Sequence, residues 1–312
     1  MPVLADECLR MLRVKPDGIY ADGTLGGGGH ASLICEQLSG KGRLFGFDRD
    51  EEAVAAAQLR LKGFEDRVTV IHSNFGQMAE ILHEKGIMHV DGILLDLGVS
   101  SHQLDDRERG FTYRCEAPLD MRMDREEERT AAEVVNNYAY EQLLNVIKDY
   151  GEERYAARIA GAIVRRREIA PIETTTELAD LIKNAMPAKA RSEKGHPAKR
   201  TFQAIRIEVN KELEVLEDSL DGMIDLLSDE GRLCVITFHS LEDRIVKNVF
   251  RRNENPCTCP PGFPVCVCGK VSKGKVLTRK AIVPKEDEIQ ENARSHSAKL
   301  RVFERRLDRA PV

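Results

Sequence analysis

Apolar positions in the first third of this chain form short continuous runs, separated by longer stretches with helical spacing. Gly18-Ile19-Tyr20-Ala21, Gly42-Arg43-Leu44-Phe45-Gly46-Phe47, Arg67-Val68-Thr69-Val70-Ile71-His72 and the run from Val90 to Leu95 have the length and density of buried strands. Ile93-Leu94-Leu95 is too continuously apolar for a surface strand and reads as a central parallel one. Between these runs, Ala31 to Leu38, Glu51 to Lys62 and Gln77 to Lys85 are helical. Leu4, Cys8, Leu9, Met11 and Leu12 form a short amphipathic helix ahead of the first strand. Strands alternating with helices predict an α/β fold with a doubly wound sheet, whose ligands gather at the carboxyl ends of the strands.

The alternation stops after residue 104. From Asp105 the chain is polar and irregular, then helical: Thr130 with Glu133 and Thr174 with Glu177 have capping-box spacing, and Leu143, Leu144, Val146 and Ile147 form an apolar stripe. Pro171 closes the helix that runs through Ile159 and Ile163. Residues 105–205 are therefore read as an all-helical insert, and 1–104 with 206–312 as one discontinuous sheet domain. The sheet pattern resumes after a long helix with Ile205, Val209, Leu213, Leu216, Leu220 and Leu227 on one face. Gly231 to Thr237 is a fifth strand, and Lys299 to Arg305 a final strand at the sheet edge.

The candidate chemistry lies where strands end. Ala21-Asp22-Gly23-Thr24-Leu25-Gly26-Gly27-Gly28-Gly29-His30 is a strand-to-helix elbow. Glycines there admit positive φ and close ligand approach, and the free N–H groups of the helix start favour polar or anionic groups. The next strand ends in Asp48, about 20 residues beyond the glycines, where a ribose-binding carboxylate belongs. This pair suits NAD and S-adenosylmethionine equally. The central strand ends in Asp96, followed by Leu97-Gly98-Val99-Ser100-Ser101. Phe75 follows the third strand, and Phe238-His239-Ser240-Leu241-Glu242-Asp243-Arg244 follows the fifth.

A hydrophobic content of 42% supports a real core. No stretch of ~18 uncharged apolar residues and no leader pattern is present, so a cytoplasmic protein without a membrane partner is expected. The net charge of −5 conceals segregation. Arg154 to Asn210 holds twelve Lys/Arg against six Asp/Glu, and Arg244 to Lys280 nine against one, leaving −19 on the remainder. A basic face on an acidic body fits a polyanionic partner. Four of the eight cysteines, Cys8, Cys35, Cys115 and Cys234, read as reduced packing residues. Cys257, Cys259, Cys266 and Cys268 form two Cys-x-Cys pairs that either wrap a tetrahedral Zn²⁺ or remain surface thiols.

Taken together, Asp22-Gly23-Thr24 with Gly28-Gly29-His30, Asp48, Asp96-Leu97-Gly98-Val99-Ser100-Ser101-His102-Gln103, Arg109-Gly110-Phe111, Pro118-Leu119-Asp120-Met121-Arg122-Met123-Asp124 and Phe238 to Arg244 closely resemble the MraW (RsmH) methyltransferases. The resemblance covers nearly the whole chain. It implies a seven-stranded, Rossmann-like methyltransferase sheet and transfer of a methyl group from S-adenosylmethionine to the exocyclic N4 of a cytidine. The target implied is the decoding region of small-subunit ribosomal RNA, met within the assembled small ribosomal subunit, with the helical insert as RNA-recognition domain. Gly28, Gly29 and His30 are then expected at the methionine end of the cofactor, Asp48 at its ribose, Phe75 and Asp96 at the adenine and sulfonium region, and Gln103 completing the pocket. Asp96, Ser100, Asp120 and His239 are the catalytic candidates, and no metal is expected among them. Phe111, Tyr113 and Phe238 are the aromatic candidates to face an extruded base. Two other readings compete: an NAD-dependent oxidoreductase, resting on the glycine turn and Asp48 alone, and a non-catalytic ribosome assembly factor.

Overall fold

β1 (Ile19–Asp22), β2 (Arg43–Asp48), β3 (Val68–His72) and β4 (Val90–Asp96) pair in parallel, and the helices between them are the crossovers that parallel pairing demands. Those helices are α2 (Gly29–Gln37), α3 (Glu51–Arg60) and α4 (Met78–Glu84), preceded by α1 (Ala5–Leu12). The computed structural model describes residues 2–191, 195–260 and 267–307. The chain divides into two compact units, Met1–Gly98 with Leu213–Val312, and Val99–Glu212.

The second unit is helical: α5 (Ser101–Asp105), α6 (Ala131–Asn137), α7 (Tyr140–Asn145), α8 (Ala156–Arg167), α9 (Thr175–Ala185), α10 (Ala188–Arg191) and α11 (Lys199–Asn210). Thr130 and Thr174 cap α6 and α9, each side chain accepting from the N–H three residues on. The apolar stripe through Leu143 to Ile147 is helical but not uniform, since a π-helical turn over Val146–Tyr150 follows α7. Val134, Leu143, Ile147, Ile159, Ile163, Leu178, Ile182 and Phe202 form this unit's own core.

The chain returns to the first unit through α12 (Glu212–Leu226), β5 (Leu227–Thr237), α13 (Ser240–Glu254), β6 (Gly274–Val276), α14 (Glu286–Glu291) and β7 (Lys299–Arg305). The sheet order is β3-β2-β1-β4-β5-β7-β6, with β5 parallel to β4 and β7 antiparallel to both its neighbours. Alternate strand residues feed two separate cores. Ala21, Phe45, Ile93, Leu95 and Val235 join α4, α12 and α13, whereas Tyr20, Leu44, Leu94, Cys234 and Ile236 join α1, α2 and α3. The sheet is thus covered on both faces, which is why its central strands read as continuous apolar runs.

Two expectations require correction. The long helix through Ile205 to Leu227 is two helices: Lys211 adopts a left-handed φ of 50° between α11 and α12, and Leu227 already belongs to β5. A shared apolar face does not register a single backbone reversal. Likewise β7 is not an edge strand; the three-residue β6 lies outside it, too short for its alternation to show in the sequence.

Candidate functional site

Strand order reverses between β1 and β4, and the crevice beyond their carboxyl ends is where an open α/β sheet takes its ligand. The glycine elbow is built on this point. Gly23 N–H donates to Leu94 O (2.9 Å), Leu25 N–H to Phe47 O (2.9 Å), and Gly28 N–H to Leu25 O (2.8 Å), so the turn is tied to both flanking strands. Gly26 and Gly28 have φ of 50° and 74°, left-handed values that a side chain would strain, and Gly28 leads directly into α2. At Gly27 a Cβ would meet nothing within 4 Å, so the turn presents bare backbone to open space.

Three carboxylates surround the elbow. Asp48, ending β2, accepts from Gly26 N–H through Oδ2 (2.7 Å) and from Asp50 N–H through Oδ1 (2.9 Å). Each oxygen keeps a second lone pair. Burial raises the Asp48 pKa, against those two N–H bonds. Asp22, ending β1, is 1% exposed; burial dominates and pushes its pKa up to about 7, although His30 and Thr24 N–H (3.1 Å) favour the anion. Asp96, ending β4, donates its N–H to Thr24 Oγ1 (2.5 Å), and its Oδ2 is 3.6 Å from His30 Nε2. Burial opposes protonation of His30, yet the charges of Asp96 and Asp22 outweigh it and raise the His30 pKa.

His30 Nε2 and Asp96 Oδ1 are buried and have no hydrogen-bond partner. Unsatisfied buried polar atoms are costly, and two of them beside an elbow bare of side chains fit a ligand with polar groups of its own. Phe75 follows on the same side, at the start of a short 3₁₀ turn, its Cβ 3.0 Å from where a Gly23 Cβ would stand. The donor set suits a nucleoside: backbone N–H groups, a carboxylate with spare lone pairs, and a half-buried ring.

The remaining candidates are engaged locally. His239 is the N-cap of α13, with Nδ1 accepting from Glu242 N–H (3.5 Å), while Glu242 Oε2 accepts from Phe238 and His239 N–H (2.8 and 3.2 Å); His239 Nε2 is 3.1 Å from Glu242 Oε1 and, like His30 Nε2, is buried without a hydrogen-bond partner. In the second unit, Ser100 and Gln103 close a reciprocal capping box on α5, Gln103 N–H to Ser100 Oγ 3.1 Å and Ser100 N–H to Gln103 Oε1 2.9 Å. Asp120 grips Arg122, accepting from Nε (2.9 Å) and Nη2 (2.8 Å). These bonds hold its carboxyl below the usual carboxylate range despite partial burial.

The loops of the second unit account for the other sequence motifs. Arg109 is 1% exposed and donates to the carbonyls of Arg122 and Met123 (both 3.1 Å), and Met121 N–H donates to Arg109 O (3.1 Å). Asn210 closes the same loop, accepting from Met123 N–H (2.8 Å) and donating to Met121 O (2.7 Å). Phe111 is core, whereas Tyr113 stacks on His196 at 4.3 Å with Phe202 against its edge.

Of the cations in the basic insert, several serve the fold. Arg166 pairs with Glu177, Arg167 donates to Val135 O and Tyr138 O, Arg191 to Met186 O and Asn184 O, and Arg200 to Glu152 O. An open hollow of this unit is lined by Ala157, Arg158, Arg165, Asn184 and Ala185. Lys194 and Cys266 lie outside the described residues. Asp22 and Thr24 are side chains of the elbow that sequence reasoning does not single out. Their signal is present, an acid and a hydroxyl at the first strand end flanking the first glycine of the elbow.

The family model described as the MraW methylase family matches residues 1–306. Among curated proteins, the chain is 61% identical over 303 residues to "Ribosomal RNA small subunit methyltransferase H" of Lachnospira eligens, covering 97% of this chain and 96% of that one. It is 60% identical over 304 residues to "Ribosomal RNA small subunit methyltransferase H 2" of Agathobacter rectalis, covering 97% of each. With the protein of the first of these names from Clostridioides difficile it shares 53% identity over 303 residues, again 97% of each.

Proposed function

The chain belongs to the MraW methylase family, and from that membership we propose that it transfers a methyl group from S-adenosylmethionine to the exocyclic N4 of a cytidine in the decoding region of small-subunit ribosomal RNA, within the assembled subunit. The printed name of its relatives supports small-subunit ribosomal RNA as the substrate, and a reaction there belongs to the cytoplasm. The observation that carries the chemistry is the pair of unsatisfied buried atoms, Asp96 Oδ1 and His30 Nε2, at the point where strand order reverses. Among the described residues no helix is long and apolar enough to cross a membrane.

When bound, S-adenosylmethionine supplies a methyl group activated by its sulfonium. Gly28, Gly29 and His30 hold its methionine end, the spare lone pairs of Asp48 accept from the ribose hydroxyls, and Phe75 packs on the adenine. A cytosine amino group is a weak nucleophile because its lone pair is delocalised into the ring. Asp96 compensates: its Oδ1 accepts a hydrogen bond from the amine, orients the nitrogen, and takes the proton that the nitrogen sheds on alkylation. His30 faces that carboxylate across 3.6 Å and fixes its place at the strand end. By the family resemblance Gln103 contacts the cofactor and Ser100, Asp120 and His239 serve catalysis; in the fold Ser100 and Gln103 bond each other, Asp120 grips Arg122 and His239 caps α13.

Incubation with methyl-labelled S-adenosylmethionine and small subunits from a strain lacking the activity, followed by mapping of the modified base, tests this reading. The expected label is on N4 of a single cytidine; no transfer, or transfer to another atom, overturns it. Asp96→Asn lowers turnover by about 10²–10⁴ while cofactor affinity changes far less.

A further inference from the structure

Of the described cysteines outside the cores, three lie on one connection, apart from Cys115. Cys257 and Cys259 follow the end of α13, Cys268 precedes β6, and none of the three is buried. Cys8, Cys35 and Cys234, by contrast, are packed beneath the helices of the first unit. Yet the sulfur atoms of Cys257, Cys259 and Cys268 all lie within 4.8 Å of one another. Apolar burial does not account for that convergence, because among the described residues the chain around them is exposed or half-buried and forms no helix or strand.

We propose that Cys257, Cys259 and Cys268 bind one structural Zn²⁺, which ties the end of α13 to the approach to β6. A tetrahedral zinc with Zn–S bonds of about 2.3 Å sets its thiolates about 3.8 Å apart. Cys257 and Cys268 are separated by 3.8 Å, sulfur to sulfur. That is far beyond the ~2.05 Å of a disulfide bond, so this pair is placed as two ligands rather than as a covalent link. Val267 N–H donates to Cys259 Sγ (3.4 Å), the kind of outer contact that orients a metal-bound thiolate. Sulfur ligands select a soft ion such as zinc and exclude Mg²⁺ and Ca²⁺, which take oxygen.

The position explains why an ion is needed. Lys273 N–H donates to Asn253 O (2.9 Å) and Ser272 Oγ accepts from Gly274 N–H (3.3 Å), which anchors the return toward β6 at its far end. Nearer α13, no apolar side chain of the described residues anchors it in a core. A divalent cation takes the three sulfurs as thiolates, releasing their protons, and orders the chain that carries them. The site is separate from the glycine elbow, so its occupancy is read by metal content rather than by methyl transfer.

The test uses the full-length protein purified under reducing conditions without chelator. One equivalent of zinc per chain is expected by elemental analysis. Cys259→Ser and Cys268→Ser should each weaken zinc binding by more than about 100-fold, beyond the 10–100-fold that loss of an outer-shell partner costs. S-adenosylhomocysteine affinity should be unchanged in both, which shows that the first unit has folded. Should a variant not fold, wild-type protein stripped by chelator provides the second measurement. Added Zn²⁺ should slow the reaction of three thiols with a thiol reagent, and added Co²⁺ should give thiolate charge-transfer absorption. Absence of stoichiometric zinc both as purified and after zinc is added, iron in its place, or thiols equally reactive with and without zinc overturns the proposal.

Discussion

At the scale of single residues, carboxylates in the two units sit in unlike surroundings. Asp120 is held ionised by Arg122, while Asp22 lies beneath the elbow with burial as its dominant influence. A carboxyl whose folded pKa is about 7, against an ordinary value of 3.8, retains its proton in the folded state where the unfolded chain has lost it. Between those values the unfolded state binds fewer protons, so stability falls as pH rises through this window and is level above it. Asp22→Asn keeps the acceptor for Thr24 N–H and removes the titration. The variant should therefore lose the decline between about pH 4 and pH 7, a difference of a few kcal/mol at most. Urea midpoints measured at pH 5, 6, 7 and 8 for both proteins check this; parallel curves would show that Asp22 ionises normally.

At the scale of elements, the sequence motifs of the second unit are chiefly architecture. Gly110 has a φ of 69°, and a Cβ there would stand 2.2 Å from Pro118 O and 3.0 Å from Asp120 N. The segment from Pro118 to Asp124 can fold against Arg109-Gly110-Phe111 only because that position lacks a side chain. Left-handed strain and overpacking each cost roughly 1–3 kcal/mol, so Gly110→Ala should destabilise the second unit by about 3 kcal/mol or more. The loss is read from thermal or urea unfolding, and a midpoint within error of wild type would contradict it. Asn210 serves the same loop as the last residue of α11, and Lys211 with its left-handed φ ends that helix directly after it.

At the scale of the molecule, the proposed target, a single cytidine, presents the same edge wherever it occurs, so under that proposal choice of site must come from RNA shape and backbone read by charge. Not every cation serves this purpose. Arg166, Arg167, Arg191 and Arg200 hold carboxylates or carbonyls of their own unit, and replacing them would confound stability with binding. Arg158 and Arg165 are exposed and line the open hollow of the second unit, which makes them the better probes. Arg158→Ala with Arg165→Ala should weaken subunit binding and reduce the log-log salt slope by roughly 0.7–0.9 for each phosphate no longer neutralised, with cofactor affinity intact. Wild-type affinity and slope in the double variant would move attention to the basic stretch after Arg244.

Much of this architecture is legible in the order of residues. Strand and helix alternation, the capping threonines, and Asp48 and Asp96 at strand ends follow from local burial periodicity and local hydrogen bonding, which are written into consecutive residues. The family resemblance rests on such local motifs and extends across the chain. Periodicity carries no record of which strands become neighbours. Only the fold puts β4 beside β1, so that Thr24 reaches Asp96 N–H and His30 faces Asp96 across 3.6 Å. Only the fold shows Asp22 buried, β7 flanked by β6, the helix broken at Lys211, several cations of the basic insert spent on carbonyls, and three sulfurs gathered from two ends of one connection. Each of these depends on partners distant in sequence, and a residue's own neighbours do not encode the partner it will meet.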